Sequence, residues 1–282
     1  MSEDFSFIKF LSCPQDKGTL RVAPDSAQCR ECGRSYRLEQ GRIYFSFPPK
    51  DIIASGSNFK SSKSSWSKWR QANFIFFEKY LKNEDTDKVF IDIGAGISQF
   101  QEITSKFKNA VRMDFYPYPL INVVADMSTK FPLRTGVSDI IFISNVLEHV
   151  FTPHDFLQEC HRVLKPGGFI VGTVPFLIGV HQAPYDYYRY TNFMLEKLFS
   201  GAGFNNIAIE IVGKPFDVFE TMQRQFFSGM MAHSDSLGPW NRLIMSLGRR
   251  AVLGVTKLFS PVFELMPVFP KYVSGYGFYA KK

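Results

Sequence analysis

The chain has 282 residues, of which 45% are hydrophobic and 21% charged, a composition that supports a packed core and excludes wholesale disorder. Lys and Arg outnumber Asp and Glu by 33 to 26, a formal charge of +7, and Phe is used 30 times. Three of the four Cys cluster near the N-terminus, which excludes a secreted disulfide scaffold and points to a reducing compartment. The acidic start MSEDF and the lack of a long apolar run after it give no signal peptide, so a cytoplasmic protein is expected.

In chain order, residues 1–47 read as a small module of short alternating segments, and 48–65 (PPKDIIASGSNFKSSKSS) as a linker rich in Ser, Lys and Pro. Residues 66–282 form the main domain, opening with apolar residues at helical spacing from Trp66 to Leu81. Strands and helices then alternate. VFIDI (89–93) leads through a glycine turn to a helix over about 98–106. AVRMD (110–114), NVVAD (122–126) and SDIIFIS (138–144) follow. After Phe151 comes helix-start grammar, with Thr152 as N-cap, Pro153 in the first helical position and Asp155 in the first turn. Phe156, Leu157, Cys160, Val163 and Leu164 share one face of that helix, which buries Cys160 as a small hydrophobe. The turn Lys165-Pro166-Gly167-Gly168 delivers FIVGTV (169–174), a helix runs from Thr191 to near Gly201, and IAIEIV (207–212) follows. The uncharged stretch from Pro166 to Tyr185 is broken by Pro and Gly and reads as strand and loop, not a membrane helix. Such alternation means a parallel sheet covered by helices on both faces. Residues 213–272 are a helical insertion, with helices near 217–231 and 241–259, before the last strand VSGYGFYAKK (273–282).

The chemistry-bearing signal begins at Asp92-Ile93-Gly94-Ala95-Gly96, directly after an apolar strand and before a helix. Glycines there let backbone approach a ligand, and the helix start offers unpaired N–H groups. Asp114 ends the next strand, where a carboxylate accepts ribose hydroxyls. Asp126 and Met127 end the third, placed to meet an adenine amine and ring. Gln99 stands where the third glycine of a dinucleotide fingerprint belongs, which suits a cofactor without a pyrophosphate.

Together with Ser144-Asn145-Val146-Leu147-Glu148-His149 and Leu164-Lys-Pro-Gly-Gly168, these motifs resemble, in order, the class I S-adenosylmethionine-dependent methyltransferases. The resemblance implies an α/β, Rossmann-like seven-stranded sheet with an antiparallel last strand. It implies S-adenosylmethionine as cofactor, held by Asp92, Gly94, Gly96, Asp114, Asp126, Met127 and Asn145. The acceptor would sit beyond the fourth and fifth strands, beside His149 and under the loop His181-Gln-Ala-Pro-Tyr-Asp186-Tyr-Tyr-Arg189-Tyr-Thr191. That loop is similar to one in bacterial methyltransferases of glycan and envelope biosynthesis, so a small-molecule or lipid-linked glycan acceptor is expected. Methylating a hydroxyl requires removal of its proton, and His is poised for that near neutral pH. His181 is the first candidate base and His149 a second; Asp186 either orients His181 or pairs with Arg189.

Cys13-Pro-Gln-Asp16 and Cys29-Arg-Glu-Cys32 resemble the two knuckles of a Trm112-like zinc ribbon, with Asp16 in place of one Cys. The pattern is compatible with a structural zinc on Cys13, Asp16, Cys29 and Cys32, or with a metal-free relic of the ribbon. Zinc modules also precede this fold in rRNA methyltransferases, which makes an rRNA or tRNA substrate the alternative; a cofactor-binding adaptor without catalysis is a third. Residues 89–213, however, carry 9 Lys and Arg against 11 Asp and Glu, so the basic excess lies in the flanks and weighs against nucleic acid. On the 241–259 helix, Leu243, Ile244, Leu247, Ala251, Val255 and Leu258 oppose Arg242, Arg249, Arg250 and Lys257. This face packs on the sheet, builds a substrate lid or rests on the anionic inner membrane surface.

Overall fold

Eleven strands hydrogen-bond into one sheet in the computed structural model, which describes residues 5–47, 66–97, 99–128, 130–232, 238–265 and 271–282. In chain order the elements are β1 (Leu20–Val22), β2 (Ser26–Cys29), β3 (Ser35–Glu39), β4 (Arg42–Tyr44), α1 (Lys68–Leu81), β5 (Val89–Ile93), α2 (Gln101–Thr104), β6 (Asn109–Asp114), β7 (Val123–Val124), β8 (Ser138–Ser144), α3 (Pro153–Val163), β9 (Leu164–Pro175), α4 (Asn192–Gly201), β10 (Asn205–Val212), α5 (Pro215–Ala232), α6 (Pro239–Glu264) and β11 (Gly275–Lys281). The strand order is β1-β2-β3-β4-β7-β6-β5-β8-β9-β11-β10. The linker expected at 48–65 lies outside the described residues, as does Ser98 at the expected helix start.

β5 is buried at all five positions, as a central parallel strand covered on both faces must be. On one face α1, capped by the Ser67 hydroxyl accepting from Arg70 N, drives Phe77 against Phe142 and Phe100, ring centroids 4.5 and 5.0 Å away. On the other, α3 buries Phe156, Leu157, Cys160 and Val163, so Cys160 does act as a small core hydrophobe. Thr152 is the N-cap of α3, but its side chain makes no capping hydrogen bond. The excess of Phe is core material here: Phe77, Phe90, Phe131, Phe199 and Phe278 are fully buried.

Three expectations are corrected. The sheet has eleven strands, not seven, because the edge of the short β7 is not left open. Ile43 N and Phe45 N donate to Asn122 O and Val124 O at 3.0 and 2.8 Å, and the β1–β4 meander thereby extends the sheet. Phe7, Leu11 and Cys13, which precede that meander, and Ile43 within it share the core of the main sheet. The 122–126 strand shrinks to Val123–Val124, leaving Asp126 beyond it. β9 begins at Leu164 because the Lys165–Gly168 turn is a bulge paired to the C-terminus. Gly167 N donates to Lys282 O at 3.2 Å and Lys282 N to Gly168 O at 2.9 Å.

β11 lies antiparallel between β9 and β10, and α5 and α6 fill the insertion. Among the described residues nothing covers the apolar face of α6: Leu243, Ile244, Leu247, Val255 and Leu258 are all exposed. Among the described residues no helix is long and apolar enough to cross a membrane.

Candidate functional site

Two backbone donors fold the chain back at the end of β5: Gly94 N and Ala95 N both reach Met113 O, at 2.8 and 3.0 Å. Gly94 adopts φ +68°, and a Cβ there would lie 2.5 Å from Val146 Cγ2. Gly96 adopts φ +53°, and among the described residues only Gly94 O, 4.0 Å away, is near where its Cβ would be. The first glycine is therefore required by packing from beneath, and the second leaves the loop open above. Gly96 N donates to Asp114 Oδ2 at 2.8 Å, and Tyr116 N to Asp114 Oδ1 at 2.9 Å. Asp114 is buried, which raises its carboxyl, while these backbone N–H groups pull it down. Burial pushes Asp92 up to about 7, with Arg112 opposing the shift and Asp114 adding to it. Two carboxyl groups thus lie at neighbouring strand ends by the glycine loop, near enough for Asp114 to raise Asp92.

Asn145 has a left-handed backbone, φ +54°, which turns its side chain back over the sheet end. Its Oδ1 accepts from Trp69 Nε1 at 3.2 Å, so α1 forms one wall of the site. Asp126 is exposed and its Oδ1 accepts from Ser128 N and Oγ at 2.9 and 2.6 Å, while Met127 packs half-buried on the core. Asp92, Gly94, Gly96, Asp114 and Asn145 are brought together at the strand ends. Asp126 and Met127 flank them in the turn after β7.

The acceptor-side residues form a second group, reached through Val146. A short 3-10 turn, Leu147–His149, follows it and buries the Glu148 side chain completely. Neither Glu148 carboxylate oxygen has a hydrogen-bond partner among the described residues. His149 Nε2 and His181 Nε2 each lie 3.7 Å from Glu148 Oε1, contact distances too long for hydrogen bonds. The two imidazoles meet edge to face with centroids 4.9 Å apart. Glu148, followed by burial acting the other way, raises the His181 pKa.

The loop is fastened over this group. Tyr187 N and Tyr188 N donate to Glu148 O at 3.0 and 3.2 Å, and Tyr190 OH to Leu147 O at 3.1 Å. Asp186 pairs with Arg189 and also holds the His181 backbone. It is gripped by Arg189 at 2.6 and 2.7 Å, and its Oδ2 accepts His181 N at 2.9 Å. Arg189 holds the Asp186 carboxyl well below the usual carboxylate range. Sequence reasoning passed over Trp69, and it named Val146 and Glu148 only as members of the motif after the fourth strand, with no role. A charged residue between Leu147 and Val150 at a strand end was the available signal for the last.

In the N-terminal meander, Cys13, Asp16, Cys29 and Cys32 converge, their ligand atoms all within 4.8 Å of one another. Cys13 Sγ and Cys32 Sγ are 3.7 Å apart, and Cys29 Sγ is 3.4 Å from Asp16 Oδ1. Zn–S bonds of about 2.3 Å and a Zn–O bond of about 2.0 Å give tetrahedral edges of about 3.8 and 3.5 Å, which these separations match. A Cβ on Gly18 would lie 2.7 Å from Cys29 Sγ and 3.0 Å from Asp16 Oδ1, so this glycine leaves room for the cluster. Tyr36 OH lies 3.0 Å from Cys13 Sγ as an outer partner.

Residues 91–172 match the family described as Methyltransferase domain. Over 57 residues, a fifth of the chain, the sequence is 35% identical to a Mycolicibacterium smegmatis protein described as "Probable S-adenosylmethionine-dependent methyltransferase". The chain spans only 22% of that relative's length. Among solved structures it is similar to phosphoethanolamine N-methyltransferase 2 of Haemonchus contortus in complex with phosphomonomethylethanolamine and S-adenosylhomocysteine. Identity there is 14%, covering 75% of this chain and 52% of that one, with a TM-score of 0.48. A SAM-dependent methyltransferase from Archaeoglobus fulgidus is 16% identical, covering 76% of this chain and 94% of that one, with a TM-score of 0.46.

Proposed function

We propose that the chain is an S-adenosylmethionine-dependent methyltransferase acting on a hydroxyl of a glycan or a lipid-linked small molecule. The observation that carries this reading is the Gly94–Gly96 loop tied to Asp114 inside the stretch that matches the methyltransferase domain family. The residues fit the cofactor: among the described residues the space above Gly96 is open, and each Asp114 oxygen spends one lone pair on backbone and keeps another for a ribose hydroxyl. Asp126 would meet the adenine amine, Met127 the ring and Asn145 the methionyl end. When bound, S-adenosylmethionine supplies an electrophilic methyl group on its sulfonium.

The chain's own residues then do three things. The loop over residues 181–191, pinned by Asp186 and Arg189, holds the acceptor against the strand ends. Glu148, His149 and His181 deal with the hydroxyl proton, with His181 the most exposed of the three side chains. Trp69 and the α1 wall exclude water from the reacting centre. Catalysis is then mostly proximity and orientation. A screen of glycan, lipid and RNA acceptors with labelled cofactor tests the substrate class. Transfer to a glycan or lipid hydroxyl, lost in His181→Ala, is expected; transfer to RNA alone would overturn it.

Two finer readings stand on separate observations. Cys13, Asp16, Cys29 and Cys32 would hold a structural zinc, supported by the tetrahedral edges of that cluster. The exposed apolar face of α6, bordered by Arg242, Arg249, Arg250 and Lys257, would rest on an anionic membrane surface and bring the enzyme to a lipid-linked acceptor at the cytoplasmic side.

A further inference from the structure

Glu148 poses a problem of elementary electrostatics. A carboxylate removed from water and given no hydrogen bond is costly, and buried charges are normally paired or bound to metal. Here the side chain is 0% exposed and both oxygens lack a hydrogen-bond donor among the described residues. The groups facing it are two imidazole Nε2 atoms, each 3.7 Å away.

The ring orientations explain what those nitrogens offer. His149 Nδ1 lies 2.7 Å from Tyr185 O, and His181 Nδ1 3.2 Å from Gly179 O. Asp186 Oδ2 is a further acceptor, 3.4 Å from His181 Nδ1, and Arg189 Nη2, a donor, lies 3.4 Å from the same nitrogen. A carbonyl 2.7 Å from His149 Nδ1 demands N–H there, and at His181 the two acceptors, the nearer at 3.2 Å, outweigh the one donor, so the tautomer assigned from these partners puts the lone pair of each neutral ring on Nε2. Three lone-pair donors then point at one another with no donor between them: Glu148 Oε1, His149 Nε2 and His181 Nε2, all within 4.8 Å. An Nδ1–H bonded to backbone carbonyl or carboxylate is also the outer arrangement that fixes a metal-ligating imidazole.

We propose that Glu148, His149 and His181 bind a first-row divalent transition-metal ion through the carboxylate and the two Nε2 atoms. Metal–ligand bonds of about 2.1 Å place neighbouring ligand atoms about 3.0–3.4 Å apart, so the 3.7 Å contacts close by a few tenths of an ångström on binding. Two His and one carboxylate suit such an ion better than Mg²⁺ or Ca²⁺, and three protein ligands leave coordination positions for water or an acceptor oxygen. The inference rests on the acceptor-side reading above but changes its roles: with an ion in place His149 and His181 are ligands and have no lone pair left to take the hydroxyl proton, while the geometry of the site and its test are independent of methyl transfer.

The test is zinc content by equilibrium dialysis of the full chain, alongside Glu148→Gln, His181→Ala and Cys29→Ser. The wild type is expected to hold one ion more than either Glu148→Gln or His181→Ala, and that ion is expected to persist in Cys29→Ser. S-adenosylhomocysteine binding, followed by calorimetry in the same samples, reports separately on the fold and the cofactor site. If His181→Ala does not fold, His181→Gln replaces it. Equal zinc content in the wild type and the Glu148 and His181 variants overturns the site and leaves a proton shared with His181 as what neutralises Glu148.

Discussion

Gly94 and Gly96 stand two residues apart in one loop, yet alanine at each should fail for a different reason. Both have positive φ, so each substitution carries a backbone cost of about 1–2 kcal/mol. At Gly94 the new Cβ would sit 2.5 Å from Val146 Cγ2, inside van der Waals contact, and overpacking of this kind adds about 1–3 kcal/mol. Gly94→Ala should therefore lose about 2–5 kcal/mol of folding stability. Gly96→Ala meets nothing closer than a carbonyl at 4.0 Å, so its cost stays near the backbone value. Its methyl instead enters the space above the loop and should weaken S-adenosylhomocysteine at least ten-fold. Urea midpoints with calorimetry separate the two. In a double-mutant cycle Val146→Ala should recover part of the Gly94→Ala loss, because the colliding methyl is gone. Equal destabilisation by both alanines, or undiminished ligand affinity in Gly96→Ala, would refute the division of labour.

Burial pushes the Glu159 carboxyl up, but bonds from Arg162 at 2.7 and 2.8 Å, Lys17 at 3.2 Å and Phe131 N at 2.9 Å outweigh it and hold it at about 2, against an ordinary 4.5. A depressed folded-state pKa contributes stability that is complete above the unfolded value and is lost as pH falls from about 4.5 through about 2. After discounting for solvent screening it amounts to roughly 2 kcal/mol, and Glu159→Gln should flatten urea midpoints across that window. Cys29→Ser should release zinc from the N-terminal meander and lower the thermal midpoint, whereas zinc-free wild-type protein of unchanged stability would contradict the structural-zinc reading. Arg249→Glu with Arg250→Glu should abolish flotation with anionic liposomes at low salt. Failure of the wild type to float under those conditions would remove the membrane contact.

Much of the sheet was legible because its strands are buried on both faces and read as uninterrupted apolar runs: VFIDI and SDIIFIS coincide with β5 and β8. The glycine turn and Asp114 were legible for a similar reason, since a strand–glycine–helix junction admits few residue types. What escaped depends on contacts between distant segments. Nothing local in Arg42–Tyr44 tells that it will pair with Val123–Val124, nor in Trp69 that its indole will bond Asn145 across 76 positions. The amphipathic pattern of α6 is plain in sequence, but periodicity does not say whether a face is covered, and this one is exposed. Glu148 stands in the motif after the fourth strand in sequence; its complete burial beside two imidazoles is visible only once the 181–191 loop closes over it.

The central claim is that the strand ends around Asp114 bind S-adenosylmethionine, and calorimetric titration with S-adenosylhomocysteine tests it most directly. One saturable site per chain is expected, and Asp114→Asn should weaken it at least ten-fold, because an amide there must turn its NH₂ toward either Gly96 N or Tyr116 N. No saturable heat with the wild type, or full affinity in Asp114→Asn, would contradict the account.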